Sequence, residues 1–269
     1  MPAAQTDARP DYGLDAPGVV RNLALAAAVG FLPAALAALG IWDGVLRIAA
    51  GGVDVAIDLV PSGLAIGVAC AGMAAYMVWT SKWGKLRERQ ALLDLVPWRG
   101  DERVLDVGCG RGLLLVGAAH RVPAGTAVGI DLWQAEDLAG NRPDAPLENA
   151  RREGVADRVR VETGDMRALP FDDESFDVVV SRAAVHNIYD TPGRAKAVAE
   201  IARVLKPGGR LVLDDIRHLE EYAAALRAHG VADVRRVGSV LGSAIWTVLT
   251  FGSLRSGVIV AQKAEGKAG

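Results

Sequence analysis

Cysteine is scarce in this chain of 269 residues: Cys70 lies in an apolar segment and Cys109 in a glycine-rich one. Two cysteines exclude a disulfide framework and a cysteine-built metal cluster, and no metal site is expected. Charge of one sign is lacking too. Thirty Lys and Arg against 32 Asp and Glu leave a formal net charge of −2. Phosphate backbones are held by basic surfaces, so no nucleic-acid partner is expected. What the chain has in quantity is apolar residues, 51% of the total, and its first third differs in character from the rest.

Leu23 to Ile41 is 19 residues without a charge, and Leu59 to Ser81 is 23. At 1.5 Å per residue the shorter run spans roughly 28 Å, enough for the hydrocarbon core of a bilayer. We read two transmembrane helices at about 19–41 and 59–81, making residues 1–81 a membrane region and 82–269 a second domain. The competing reading is a pair of buried helices. A cleaved signal peptide fits less well, because the first run starts late and a second span follows. Pro61 suits the first turn of its helix, whereas Pro33 should kink the first span.

Charge sets the orientation. Lys82, Lys85, Arg87 and Arg89 follow the second span, while the loop between spans carries Asp43, Asp54 and Asp58 against Arg47. Basic residues stay on the cytoplasmic side. The expected location is therefore the cytoplasmic membrane, with both termini and the C-terminal domain in the cytoplasm. Val53, Val55, Ala56 and Ile57 would rest part of the loop at the interface. Small residues recur at Ala26, Gly30, Ala34 and Ala38, and at Gly63, Gly67, Ala71 and Ala75. Such stripes permit close approach in lipid, giving either a tight hairpin or a homo-oligomer contact; chance in alanine-rich sequence is the other explanation. Lys82 to Trp98 interleaves apolar and basic residues, which suggests an amphipathic helix against headgroups and domain.

The most informative motif is Val104-Leu105-Asp106-Val107-Gly108-Cys109-Gly110-Arg111-Gly112. An apolar strand ends near Asp106, and three alternate glycines let the backbone turn tightly and approach a ligand. The next helix would aim its N–H groups at that ligand. A second apolar strand, Ala127 to Ile130, ends in Asp131, 25 residues after Asp106. A carboxylate there can accept both hydroxyls of a ribose. The alternative is any Rossmann-like domain with a tight turn. The spacing is G-x-G-x-G rather than G-x-G-x-x-G, which argues against a nicotinamide dehydrogenase.

Further along come Gly164-Asp165-Met166, Leu169-Pro170-Phe171, the buried-strand pattern Phe176 to Ser181, and Leu205-Lys206-Pro207-Gly208-Gly209 before another strand. In this order the motifs resemble the class I S-adenosylmethionine-dependent methyltransferases, from about Lys85 to the C-terminus. Within them the chain looks most like the small-molecule and quinone-type enzymes. The fold implied is an α/β, doubly wound, Rossmann-like seven-stranded sheet with its last strand antiparallel, here preceded by a transmembrane helical hairpin. We place strands near 102–107, 126–131, 158–163, 176–181, 210–215, 231–237 and 256–262. Helices fall near 112–121, 144–153, 193–205 and 218–229.

The resemblance implies S-adenosylmethionine as cofactor, with S-adenosylhomocysteine as product. By the same resemblance Asp106, Gly108, Cys109 and Gly110 would hold the methionine part and Asp131 the ribose. Asp165, beside Gly164, would hold the adenine together with Met166, and Leu132 and Trp133 would pack on it. Cys109 reads as a small residue beneath the cofactor rather than a nucleophile. Ser181 ends a strand at the crevice where ligands of open α/β sheets bind. A base is needed only when the acceptor must lose a proton. His186 is the candidate, against a surface or capping role; Arg182, Tyr189 and Asp190 are weaker candidates. Asp214 and Asp215 end strand five and either accept backbone hydrogen bonds or touch substrate.

The expected activity is methyl transfer to a small lipophilic acceptor by a membrane-anchored enzyme with membrane lipid as neighbour. The alternatives are a protein or peptide methyltransferase acting on a membrane partner, and a non-catalytic cofactor-binding scaffold. Residues 239–253, rich in apolar side chains, would cover the substrate, touch the membrane or join subunits.

Overall fold

Val104, Leu105 and Val107 have essentially no exposed surface, as befits a strand covered by helices on both faces. Alternate residues feed two cores: Leu105 and Val107 join one apolar cluster, Val104 the other. In this computed structural model, residues 9–134, 136, 138–238 and 257–265 are described. The chain divides into two units: a sheet unit of Met1–Tyr12, Lys85–Ala135 and Gly140–Gly269, and a helical unit of Gly13–Gly84 with Glu136–Ala139.

The helical unit comprises α1 (Pro17–Ala38), β1 (Val45–Ala50), β2 (Val53–Asp58) and α2 (Val60–Trp79). Both helices are long and apolar enough to cross a membrane, and only 11% of each apolar window is buried. They pack through glycine: a Cβ on Gly30 would sit 2.8 Å from the Gly63 carbonyl oxygen, and one on Gly67 would strike the Phe31 ring. Gly30, Gly63 and Gly67 thus bring the two helices into close contact within the chain. The first helix runs on through Pro33 as one element. Between the helices the sequence reading had only a loop. The structure has an antiparallel hairpin, β1 on β2, turned by Gly51 (φ 59°) and Gly52 (φ 83°); two successive positive φ values are what a two-residue hairpin turn requires.

The sheet unit opens with residues 9–12 and continues through α3 (Lys85–Leu93), β3 (Arg103–Val107), α4 (Leu113–Arg121), β4 (Thr126–Asp131), α5 (Asp144–Arg152), β5 (Val159–Thr163), β6 (Phe176–Arg182), α6 (Thr191–Val204), β7 (Leu205–Asp215), α7 (Leu219–Ala228), β8 (Val231–Val237) and β9 (Gly257–Lys263). Seven strands form one sheet in the order β5-β4-β3-β6-β7-β9-β8. The last strand in sequence, β9, is antiparallel to both neighbours. One core packs α6 and α7 on one face, and the other packs α3, α4 and α5 on the opposite face. This doubly wound arrangement is the expected one.

Two details depart from the sequence reading. Strand β7 starts at Leu205, not 210: Leu205 already pairs with Phe176, and a register shift before Val178 absorbs the Pro-Gly-Gly turn. The helix expected over 82–98 stops at Leu93. Its Lys85 and Arg89 are buried, so they do not face headgroups. Lys85 Nζ donates to the Tyr12 carbonyl at 2.8 Å, and Arg89 donates to Glu153 at 2.8 Å and to the Tyr12 hydroxyl at 3.0 Å. Tyr12 in turn donates to Glu153. Residues 239–253 lie outside the described residues.

Candidate active site

Parallel strands that all run one way bring their C-terminal ends to one edge of the sheet. Asp106 and Val107 of β3, Asp131 of β4, Ser181 and Arg182 of β6, and Asp214 and Asp215 of β7 meet there. Strand order reverses between β3 and β6, and such a switch point opens the ligand crevice of a doubly wound sheet. Ser181 sits at this point, but its hydroxyl donates to the Val107 carbonyl at 2.8 Å. Its side chain pins β6 to β3.

The glycine turn has the close geometry its sequence demands. Gly108, Gly110 and Gly112 have φ of 73°, 50° and 83°, the left-handed region that disfavours any side chain. A Cβ on Gly108 would lie 2.3 Å from the Ala184 Cβ, and one on Gly112 would lie 2.8 Å from the Pro146 Cβ. The N–H groups of Gly108 and Cys109 both donate to the Ile130 carbonyl, at 2.9 and 3.1 Å. Cys109 is buried, and burial pushes its thiol well up. Its sulfur packs where a Cβ on Gly129 would be. Cys109 thus packs as a small buried residue against β4.

Two carboxylates flank this turn. Asp131 Oδ2 accepts from Gly110 N at 2.8 Å, and its Oδ1 accepts from Trp133 N at 2.6 Å and Asn141 Nδ2 at 3.2 Å. Asp106 is 2% exposed. Burial pushes its pKa up to about 8, against the lowering effect of the Leu115 N–H at the start of α4 and with a further rise from the Asp131 charge. Met166 reaches the turn, its methyl 3.5 Å from a Cβ built on Gly108. Gly164 leaves room for the Ile130 side chain. Leu132 is largely exposed, and Trp133 (φ 63°) is fixed by its indole N–H on Thr163 Oγ1 at 2.7 Å. Asp165 is drawn the other way. Its carboxylate is gripped by the Arg167 guanidinium at 2.6 to 3.0 Å, which holds it below the usual range.

On the far side of the switch point the structure pairs two residues that sequence alone left apart. His186 Nδ1 lies 2.5 Å from Asp215 Oδ1, and His186 N donates to Asp215 Oδ2 at 3.1 Å. Asp215 is 1% exposed and also accepts from Ile216 N. An ionised carboxylate only accepts, so Nδ1 carries the hydrogen of this contact; in the neutral imidazole Nε2 is then the acceptor. A buried acid holding an imidazole in one tautomer is how a general base is oriented. Sequence reasoning had Asp215 as an undecided strand end, since 29 residues separate it from His186. Beside it, Asp214 is pushed up to about 7 by burial, with Arg182 opposing. Arg182 bonds Glu88 of α3 at 2.5 Å. Tyr189 is 96% exposed, and Asp190 caps α6 through Gly193 N.

Sequence reasoning also missed Arg111. It donates to the Asp11 carbonyl and carboxylate at 2.8 and 2.7 Å and to the Gly140 carbonyl at 2.9 Å. Asn149 brackets the same segment through Asp11 N and O. The glycine turn is thereby tied to residues 9–12. No local pattern announces this contact, which joins positions 100 residues apart. Among the described residues no group of His, Cys, Asp and Glu could hold a metal ion.

The sheet and its switch-point edge form a Rossmann-like, doubly wound α/β domain. Residues 105–213 match the family described as a methyltransferase domain. The chain is 31% identical over 180 residues to a ubiquinone/menaquinone biosynthesis C-methyltransferase of Dinoroseobacter shibae, covering 67% of this chain and 60% of that one. It is 35% identical over 126 residues to the 27-O-demethylrifamycin SV methyltransferase of Amycolatopsis mediterranei, covering 46% and 42%. The chain thus spans less than two thirds of the length of these relatives. Geranyl diphosphate C-methyltransferase from Streptomyces coelicolor A3(2), solved with Mg2+, geranyl diphosphate and S-adenosyl-L-homocysteine, shares the fold at a TM-score of 0.51, with 20% identity over 66% of this chain and 78% of that one. The cofactor of such a domain is S-adenosylmethionine. The residues present fit it: a turn that excludes side chains, a strand-tip carboxylate beside it, and the buried carboxyl of Asp106 at the end of β3.

Proposed function

We propose that the chain is a membrane-anchored methyltransferase that moves a methyl group from S-adenosylmethionine to a small lipophilic acceptor. The observation that carries the reading is the constellation at the switch point: the glycine turn with Asp106 and Asp131 on one side, and the His186–Asp215 pair on the other. When bound, the cofactor supplies an activated sulfonium methyl; the protein supplies position and electrostatics. Asp131 would accept the ribose hydroxyls, and Asp106, recharged by a nearby cation, would hold the methionine amine. Leu132 and Met166 offer apolar surface to the adenine. Holding donor and acceptor in line is itself worth several kcal/mol of barrier. His186 would take the acceptor's proton at Nε2, keeping its Nδ1 hydrogen, while the ionised Asp215 accepts that Nδ1–H bond and stabilises the imidazolium.

The anchor is α1 and α2. Their apolar surfaces are exposed, and the chain leaves the sheet unit at Tyr12 and re-enters it at Lys85, 2.8 Å away from that carbonyl. Two crossings return the chain to one side, the cytoplasmic one by the basic residues after α2. An acceptor dissolved in the bilayer is then concentrated beside the enzyme.

The test is transfer of tritiated methyl from S-adenosylmethionine into a fractionated membrane extract. Label is expected in an organic-soluble small molecule. Label confined to protein, or none in any fraction, would contradict the reading.

A further inference from the structure

The hairpin between the two helices has two chemically different faces. In its antiparallel register Leu46 faces Ile57 and Ile48 faces Val55, with Val53 two residues before Val55 on the same side, whereas Val45 faces Asp58, Arg47 faces Ala56 and Ala49 faces Asp54. Side chains alternate along a strand, so the first set lies on one face and the second on the other. One face is wholly apolar. Every charge of the hairpin, Arg47, Asp54 and Asp58, is on the other, and Asp43 joins it through a 2.5 Å bond to Arg47. The apolar face is open: Ile48 is 48% and Val53 62% exposed.

A two-stranded hairpin is marginal in water by itself, and a five-residue apolar face needs a cover. We propose that this face lies on the lipid of the leaflet where the two helices emerge, as an amphipathic β-hairpin parallel to the membrane plane. The proposal rests on the anchoring read above. Length supports it. At 22 residues α1 is about 33 Å long, and although the second helix continues to Leu93 its charge-free stretch, Val60 to Ser81, is also about 33 Å, against a hydrocarbon core of about 30 Å. Crossing uses them up, so the hairpin starts at headgroup level. Tethering holds it there. Only Leu59 separates β2 from α2, and its N–H donates to the Gly44 carbonyl at 2.9 Å, closing the hairpin base. Trp42, at the same level, is the residue type that anchors an interface. The charges on the opposite face then point to water.

The test uses the full chain in phosphatidylcholine vesicles. Cys70 is replaced by Ala, and the buried Cys109 is left in place. Single cysteines carry an environment-sensitive fluorophore: Ile48→Cys and Val55→Cys on the apolar face, Arg47→Cys on the polar face, and Val68→Cys on the exposed surface of α2. Doxyl-labelled lipid should quench the probes at positions 48, 55 and 68 several-fold more than the one at 47. Aqueous iodide should quench chiefly the probe at 47. Equal iodide quenching at 47, 48 and 55 overturns the proposal while leaving the anchor standing. Shielding of 48 and 55 from both quenchers, with cross-linking between copies, overturns it in favour of a second chain as the cover. Loss of lipid quenching at 68 overturns the anchor, and the hairpin's lipid contact with it.

Discussion

Asp106 is a carboxyl held where its charge is disfavoured. In the unfolded chain it ionises near 3.8; in the fold burial delays this to about 8. The folded state therefore binds more protons across that window, so stability falls as pH rises from about 4 to about 8. The contribution is full below the lower value and gone above the higher one. Asp106→Asn keeps the acceptor for the Leu115 N–H and removes the charge. It should raise the unfolding midpoint of the ligand-free protein above pH 8, by about 2–4 °C for each kcal/mol recovered. It should also abolish the thermal shift produced by S-adenosylmethionine. Such a stability gain with a loss of binding marks a functional acid. At His186 the test is kinetic. His186→Ala should lower kcat by about 100-fold or more where the acceptor loses a proton, and Asp215→Asn should lower it too, because an amide can favour the wrong tautomer. Unchanged rates and an unchanged pH profile in both variants would remove the base and leave the fold assignment intact.

At the scale of elements, periodicity and punctuation located the sheet. Thr126–Asp131 and Val231–Val237 coincide with the expected strands, and α4 starts one residue beyond expectation because Gly112 occupies its N-cap. These segments are legible because apolar runs and glycine turns are local signals. What local pattern did not show was set by partners far along the chain. Leu205 becomes a strand residue only because Phe176 lies beside it. Lys85 and Arg89 looked like headgroup contacts, yet Tyr12 and Glu153 draw them inward. His186 and Asp215 were both noticed, but their pairing depends on β6 and β7 being neighbours. The hairpin β1–β2 did carry a signal in Gly51-Gly52 between alternating apolar residues. Helix pairing can be tested at its glycines. Gly30→Leu places carbon against the Gly63 carbonyl and should cost roughly 1–3 kcal/mol of overpacking. The readout is a lower unfolding midpoint of the helical unit in detergent micelles, with cofactor affinity unchanged.

The whole molecule couples two materials. A sheet unit with a nucleotide-type crevice is joined to an apolar helical unit, and residues 9–12, which precede the first helix, are bound into the sheet unit by Arg111 and Asn149. On the proposed function this makes one enzyme poised at a bilayer, with chemistry decided in the crevice. The most direct measurement is a calorimetric titration of the purified protein with S-adenosylmethionine, beside NAD and beside the Asp131→Ala variant. Saturable binding of one S-adenosylmethionine per chain, no heat with NAD, and at least a tenfold weaker affinity in the variant are predicted. No binding, or an affinity that Asp131→Ala leaves unaltered, would contradict it.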